Sequence, residues 1–197
     1  MADEYPKQVP LKDGTTVQLR PMCLGDEDRV AAFYQSLAPD DLLFLREDLT
    51  QPAIVRRWAT DAGDASVISI LAEQDDRILG QATLLRNRPR WSNHVGEIQV
   101  IVAPSARGRG LGTLLTQEIF VTAVQAGIDK IIAEMTPSQH EARRVFEHLG
   151  FRAEGLLTRY VQDPAGRRHD IVIMAHDVDE FLQKMEVFGV VDSVDRD

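Results

Sequence analysis

A short loop rich in glycine and arginine, Arg107-Gly-Arg-Gly-Leu-Gly112, is the segment of this sequence best suited to bind a ligand. Glycine lets a backbone turn sharply and bring its N–H groups against a ligand without side-chain obstruction. The loop follows a strand-like stretch, Val95–Val102, and opens into a helix-like stretch from about Thr113 to Ala126. The unsatisfied N–H groups and the positive end of the helix dipole therefore point at one spot, to which the two arginines add charge. These features predict a phosphate or pyrophosphate site.

Three kinds of ligand compete for such a loop. A nucleoside triphosphate loop ends in Gly-Lys-Ser/Thr, whereas Gly112 is followed here by Thr113 and Leu114. A dinucleotide-binding fold places Gly-x-Gly-x-x-Gly near its first strand, with an acid about 20 residues later. Here the glycines lie in the middle of the chain, at positions 108, 110 and 112, and Asp129 is preceded by a helix rather than a strand. The remaining candidate is coenzyme A.

Three segments carry a resemblance to a known family. The segment from Val102 to Gly112 resembles the core motif of the GNAT superfamily of acyl-CoA-dependent N-acyltransferases, Arg/Gln-x-x-Gly-x-Gly/Ala. The matching positions are Arg107, Gly110 and Gly112. A second segment, Ala142–Phe151, is similar to the family's Ala-x-x-Leu-Tyr-x-x-x-Gly-Phe. A third, Leu11–Pro21, resembles the opening of bacterial protein-lysine acetyltransferase domains.

The resemblance implies an α/β (α+β) fold, in which a mixed, mostly antiparallel sheet is flanked by helices and splayed at its two central strands. It implies acetyl-CoA as co-substrate, lying in the gap, with backbone groups of Val100, Ile101 and Val102 against the pantetheine arm. The residues it assigns to the pyrophosphate are Arg107, Gly108, Arg109, Gly110, Leu111, Gly112 and Thr113. Gln139 stands where the family usually has a cofactor-contacting Asn, and Phe146 where many members have the Tyr that protonates the departing thiolate.

The acceptor amine must lose a proton before it attacks a thioester, because the pKa of a lysine is about 10.4. Glu97, before the loop, and Glu134, at the end of the next strand, occupy positions where different family branches place their general base, and Glu97 is preferred. Since the usual Tyr is absent, Tyr160 or a water would protonate the thiolate, or the thiolate would leave without the help of an acid. The alternative for Glu97 is a strand acid that faces solvent or pairs with Arg20 or Arg86.

The composition fits a soluble protein of one α/β domain. The chain has 197 residues, of which 44% are hydrophobic, which is enough to bury a sizeable core. A net charge of −9 argues against general electrostatic binding of nucleic acid. The single cysteine excludes a disulfide framework, and the five histidines lack metal-ligand spacing, so no metal is expected. No apolar run is long enough to span a membrane or resembles a secretory signal, so a cytoplasmic protein is expected.

The negative charge is concentrated at the end of the chain. Residues 177–197 contain seven acidic and two basic side chains, a net charge of −5, which leaves −4 for residues 1–176. The sequence therefore predicts an acetyltransferase-like domain over residues 1–176 and an acidic tail over 177–197, a weak helix followed by disorder. An acidic surface would weakly prefer a cationic acceptor.

These observations favour an N-acetyltransferase in which an amine attacks acetyl-CoA directly within a ternary complex. The acceptor would be a protein lysine or N-terminus, or a small-molecule amine, without nucleic acid or membrane partners. The alternative is a sensor or scaffold module that binds acyl-CoA without turnover, which the phenylalanine at position 146 favours. Acceptor identity, acyl chain length and a homodimeric state are left open by the sequence.

Overall fold

An eight-stranded sheet forms the centre of the computed structural model, which describes residues 5–42, 45, 47–61, 66–86, 89–163 and 165–178. The strands are β1 (Lys7–Pro10), β2 (Thr16–Pro21), β3 (Val67–Gln74), β4 (Arg77–Arg86), β5 (Val95–Val102), β6 (Lys130–Met135), β7 (Arg152–Gln162) and β8 (Arg168–Asp177). Their order across the sheet is β1-β2-β3-β4-β5-β6-β8-β7. Every neighbouring pair is antiparallel except β5 and β6, which are parallel. The expected mixed, mostly antiparallel sheet is confirmed.

Helices cover both faces of this sheet. They are α1 (Glu27–Gln35), α2 (Pro39–Leu42), α3 (Pro52–Asp61), α4 (Leu111–Gln125) and α5 (His140–His148). Helix α4 packs on β4 and β5, where a Cβ at Gly80 would lie 2.8 Å from the Leu115 side chain. Because β4 is buried on both faces, the pair formed by α1 and α3 covers the face opposite to α4. The domain core is therefore two apolar layers with the sheet between them.

The parallel pairing between β5 and β6 is short. It joins Val95–Glu97 to Lys130–Ile132 and then stops, although both strands continue. Beyond Glu97, β5 still pairs with β4, and beyond Ile132, β6 still pairs with β8. The two strands must therefore diverge, and the expected splay at the centre of the sheet is confirmed.

A hairpin that the sequence did not reveal precedes the rest of the sheet. Strands β1 and β2 pair from Lys7 opposite Leu19 to Pro10 opposite Thr16. The turn between them contains Gly14 at φ 82°, and the N–H of Leu11 donates to the Thr15 carbonyl at 2.7 Å. The tip of this hairpin reaches the loop before α4, where the Lys12 N–H donates to the Arg109 carbonyl at 3.0 Å.

The C-terminal end of the described chain is attached to the sheet. Asp177 is the last residue of β8, and Val178 is buried, with its N–H donating to the Asp129 carbonyl at 2.8 Å. The predicted acidic tail beyond Val178 lies outside the described residues. Among the helices that the structure describes, none has the length and apolar character to cross a bilayer. The same residues hold no group of three His, Cys, Asp or Glu side chains suited to a metal ion.

Candidate active site

The splay between β5 and β6 opens a cleft of about 550 Å³, its open mouth included. Six of the predicted site residues line it, two glutamates, two β5 residues and two residues around α5: Glu97, Glu134, Val100, Ile101, Gln139 and Phe146. The other lining residues are Asp41, Leu45, Ile98, Gln99, Ala133, Met135 and Ala142. Residues far apart in the chain therefore converge where the sheet separates.

One edge of this cleft is a strand edge without a neighbouring strand. Along Ile98–Val102, β5 pairs with β4 on one side, while its other side faces the gap left by β6. Backbone N–H and C=O groups along such an edge can hydrogen-bond an extended, amide-containing ligand as a further strand would. The geometry suits the pantetheine arm of coenzyme A, which is linear and carries two amides.

The glycine loop that follows β5 has the backbone conformation of an anion site. Gly108 and Gly110 have φ values of 73° and 88°, which L side chains rarely adopt. Gly110 is the N-cap of α4, and the first i→i−4 hydrogen bond runs from the Leu114 N–H to its carbonyl. The N–H groups of residues 111–113 thus have no partner within the helix, and the helix dipole adds positive potential there. A pyrophosphate fits this loop chemically.

The two loop arginines are each paired with an aspartate. The Arg107 guanidinium donates to Asp41 Oδ1 at 2.6 Å and to the Val102 carbonyl at 3.2 Å. The Arg109 Nε donates to Asp13 Oδ2 at 2.6 Å. Each positive charge therefore has a carboxylate beside it, and these side chains brace the loop against α2 and the β1–β2 hairpin, while their contact with the cofactor stays a prediction.

The two candidate bases lie on the same face of the sheet. Cross-strand pairing places Glu97 opposite Leu85 on β4 and opposite Ile132 on β6, and Glu134 is two residues beyond Ile132. Since side chains alternate along a strand, both glutamates point toward the side covered by α1 and α3. They flank the cleft from its two walls, where either can accept a proton from a bound amine.

Glu97 is the more deeply buried of the two. Its side chain is buried, with the residue 4% exposed, and its Oε1 accepts a hydrogen bond from Gln99 Nε2 at 2.9 Å. Glu134 is half-buried on the facing wall. The alternative pairing of Glu97 with Arg20 is wrong, because the Arg20 guanidinium binds Asp26 and Glu73. The role of Gln99 as a partner of Glu97 was not predicted, although two residues that are two positions apart on one strand have their side chains on the same face.

Of the remaining predicted residues, Gln139 and Phe146 line the cleft and Tyr160 does not. Gln139 lines the cleft, and its Oε1 accepts from the Thr136 N–H at 2.8 Å, which leaves its NH₂ group for another partner. Phe146 is buried against Phe151, with ring centroids 5.0 Å apart. Tyr160 lies on the outer strand β7, is 61% exposed and is not among the residues that line the cleft. Its role as an acid stays a prediction that this arrangement does not favour.

Comparison with known proteins identifies related chains. The profile of the acetyltransferase (GNAT) family matches residues 30–151. The chain is also similar to a rice protein, from Oryza sativa subsp. japonica, that is named as a glucosamine 6-phosphate N-acetyltransferase. The two are 34% identical over 154 residues, which cover 73% of this chain and 86% of the rice protein.

Solved structures share the fold. The ribosomal-protein-alanine N-acetyltransferase from Brucella melitensis superposes with a TM-score of 0.72 at 24% identity, over 81% of this chain and 98% of that one. An acetyltransferase from Salmonella typhimurium, solved with its cofactor acetyl-CoA, superposes with a TM-score of 0.70 at 19% identity, over 84% and 95% of the two chains. At these identities, the likeness concerns the fold.

Proposed function

Because the chain belongs to the acetyltransferase (GNAT) family, we propose that it transfers the acetyl group of acetyl-CoA to an amine acceptor within a ternary complex. The observation that carries this proposal is a cleft lined by a splayed strand edge and two carboxylates, with a glycine loop at a helix N-terminus following the same strand. Acetyl-CoA supplies the activated carbonyl as a thioester. The chain's own residues would bind the cofactor, orient its thioester and accept the proton of the amine.

Binding divides between backbone groups of two elements. The unpaired edge of β5 around Val100–Val102 would hydrogen-bond the pantetheine arm, and the N–H groups at the start of α4 would hold the pyrophosphate. The NH₂ group of Gln139 is placed on the opposite wall, where it can donate to the cofactor arm. A backbone N–H near Ile101 or Val102 would stabilise the negative charge that develops on the carbonyl oxygen.

Proton transfer from the acceptor falls to a glutamate. An amine with a pKa near 10 is protonated at neutral pH and is not nucleophilic until it loses that proton. Glu97, oriented by Gln99, would accept it directly or through one water, and Glu134 lies on the facing wall as the second candidate. At the thiol end, Phe146 offers no proton, so the departing sulfur would leave as a thiolate and then take a proton from water, because a thiol of pKa about 8.5 is mostly protonated at neutral pH.

The acceptor is an amine whose class the relatives suggest only broadly. The rice protein's name indicates an amino sugar phosphate and the Brucella protein's name a protein alanine. We therefore propose a small-molecule amine or an amine on a protein, a lysine or an N-terminus, with no nucleic acid or membrane involved. A cytoplasmic location and the homodimer belong to the same proposal.

Calorimetric titration with acetyl-CoA tests the binding half of this proposal. Wild-type protein should bind saturably, and Gly110→Asp should weaken binding at least about tenfold, because it strains a φ of 88° and places a carboxylate at the anion site. The matched control is Gly166→Asp, which changes the charge equally at φ 82° in the turn between β7 and β8. Absence of saturable wild-type binding, or equal effects of the two substitutions, would refute the proposal.

A second function, acyl-CoA binding without turnover, is favoured by Phe146 at the position where many family members have a proton-donating Tyr. Release of free thiol from acetyl-CoA, followed across a panel of small amines, lysine peptides and N-terminal peptides, separates the two. Acceptor-dependent release that Glu97→Gln or Glu134→Gln abolishes would establish an acetyltransferase. Tight binding without release from any acceptor would establish the sensor.

A further inference from the structure

Lys12, at the tip of the β1–β2 hairpin, lies against the glycine loop. Its N–H donates to the Arg109 carbonyl at 3.0 Å, so the backbones of hairpin and loop are joined. Its side chain then passes over Gly110, where a Cβ would lie 3.2 to 3.3 Å from Lys12 Cγ, Cδ and Cε. The ammonium group is one bond beyond Cε and is therefore held near the N-terminus of α4.

This ammonium group is available to a ligand. Lys12 is exposed, and within the described part of the chain its Nζ makes no hydrogen bond and no ion pair. The nearest carboxylate along the chain, Asp13, is already engaged by Thr15 and Arg109. Hydrogen bonds from Thr15, and then from Arg109, lower the pKa of Asp13.

Arg109 and Lys12 consequently have different tasks. The Arg109 guanidinium donates to Asp13 Oδ2 and to the Thr15 hydroxyl, which fixes the hairpin turn on the loop. Its charge is compensated at that place. Lys12 contributes the uncompensated charge, on a flexible stem that lets the three ammonium donors follow a phosphate oxygen.

We propose that Lys12 is a cofactor-binding residue that contacts the pyrophosphate of acyl-CoA, with the β1–β2 hairpin forming one wall of that subsite. The proposal rests on the proposed function, since it assigns a further residue to the same cofactor. The pyrophosphate is favoured over the 3′-phosphate because Lys12 lies on Gly110, the N-cap of the helix whose N–H groups face the anion. Charge from Lys12 then replaces the charge that Arg107 and Arg109 lose to their aspartates.

Calorimetric titration of Lys12→Met with CoA and with 3′-dephospho-CoA tests this contact. Both ligands keep the pyrophosphate, so both should bind to Lys12→Met about tenfold more weakly than to wild type. That is the loss expected when one charge-assisted hydrogen bond is removed. Lys12→Arg should recover most of the affinity, and raising the salt concentration should narrow the difference between wild type and Lys12→Met.

The control substitution is Arg90→Met, which removes the same charge from an exposed residue before β5, at the end of that strand opposite to the loop. A loss in Arg90→Met equal to that in Lys12→Met would reduce the effect to net charge and overturn the proposal. So would a loss confined to CoA, which would assign Lys12 to the 3′-phosphate, or unchanged affinity in Lys12→Met. If wild type itself binds no CoA, the proposed function fails rather than this contact alone.

Discussion

Glu97 is the most deeply buried carboxylate among the residues that line the cleft. Gln99 helps to orient it by donating to Oε1 at 2.9 Å. Glu97→Gln keeps the shape and can still accept from Gln99, but it removes the proton acceptor. We expect kcat to fall by about 10² to 10⁴ while the Kd for acetyl-CoA changes little, measured by thiol release and calorimetry.

Glu134→Gln is the matched control on the opposite wall of the cleft. If Glu97 is the base, this variant keeps most of its activity and the wild-type pH dependence of kcat/KM, whereas Glu97→Gln loses the acidic limb of that profile. The reverse pattern would assign the base to Glu134. Equal losses of affinity and rate in Glu97→Gln would indicate a structural carboxylate.

At the residue scale, the sequence predicted the side chains that belong to motifs and missed those that reach the site from elsewhere. Glu97, Glu134, Gln139 and Phe146 line one cleft, and each lies in or beside a strand or helix with a recognisable sequence pattern. The pair between Arg109 and Asp13 joins positions 96 residues apart. No local pattern encodes such a contact, so the aspartate partners of the two arginines and the placement of Lys12 beside the loop emerge only from the tertiary structure.

At the scale of elements, the packing of α4 on the sheet holds the loop in place. A Cβ at Gly80 on β4 would lie 2.8 Å from Leu115 Cδ1 and 2.9 Å from the Ile101 carbonyl oxygen. Leu115 is fully buried, and Ile101 belongs to the strand edge that lines the cleft. Helix α4 therefore sits as close to the strands as a glycine permits.

Gly80→Ala should lower the free energy of unfolding by about 1 to 3 kcal/mol, because backbone and buried side chain must both move. The measurement is urea denaturation followed by circular dichroism. Gly155→Ala on β7 is the control, since its Cβ would meet only Ile173 Cδ1, at 3.9 Å, and should change stability little. Equal effects of the two alanines would show that the contact at Gly80 is relaxed at no cost.

Most elements around the site follow from local signals. The strand Val95–Val102 is confirmed at its predicted bounds, and α4 runs over Leu111–Gln125 where a helix from about Thr113 to Ala126 was expected. Strand β1 was missed because four residues ending in proline form a weak strand pattern. The Asp13-Gly14 turn was its one local signal.

At the scale of the whole molecule, β2, β3 and the start of α1 are joined by a network of charges. Arg20 on β2 donates to Asp26 at 2.7 Å and to Glu73 on β3 at 2.7 Å, and Arg29 on α1 also binds Glu73 at 2.8 Å. Burial acts to raise the pKa of Asp26, but hydrogen bonds from Arg20 and Cys23 prevail and lower it to about 2. At Glu73, too, burial acts to raise the pKa, but hydrogen bonds from Arg20 and Arg29 prevail and hold the pKa below its ordinary value. The network links the helical layer to the N-terminal half of the sheet.

The stability that this network supplies should depend on pH. An aspartate with a pKa near 3.9 when unfolded and about 2 when folded stabilises the native state above pH 4, and the contribution is lost as the pH falls toward 2. Arg20→Met removes the partner, so we expect it to lower the free energy of unfolding by about 2 kcal/mol at pH 7 and by clearly less at pH 2.5. Urea denaturation at the two pH values measures the difference.

Arg143→Met is the control, because it breaks an exposed pair with Glu147 that is worth only a few tenths of a kcal/mol at neutral pH. A loss for Arg20→Met that is equal at both pH values would mean that Arg20 stabilises the fold through packing of its stem rather than through the two carboxylates.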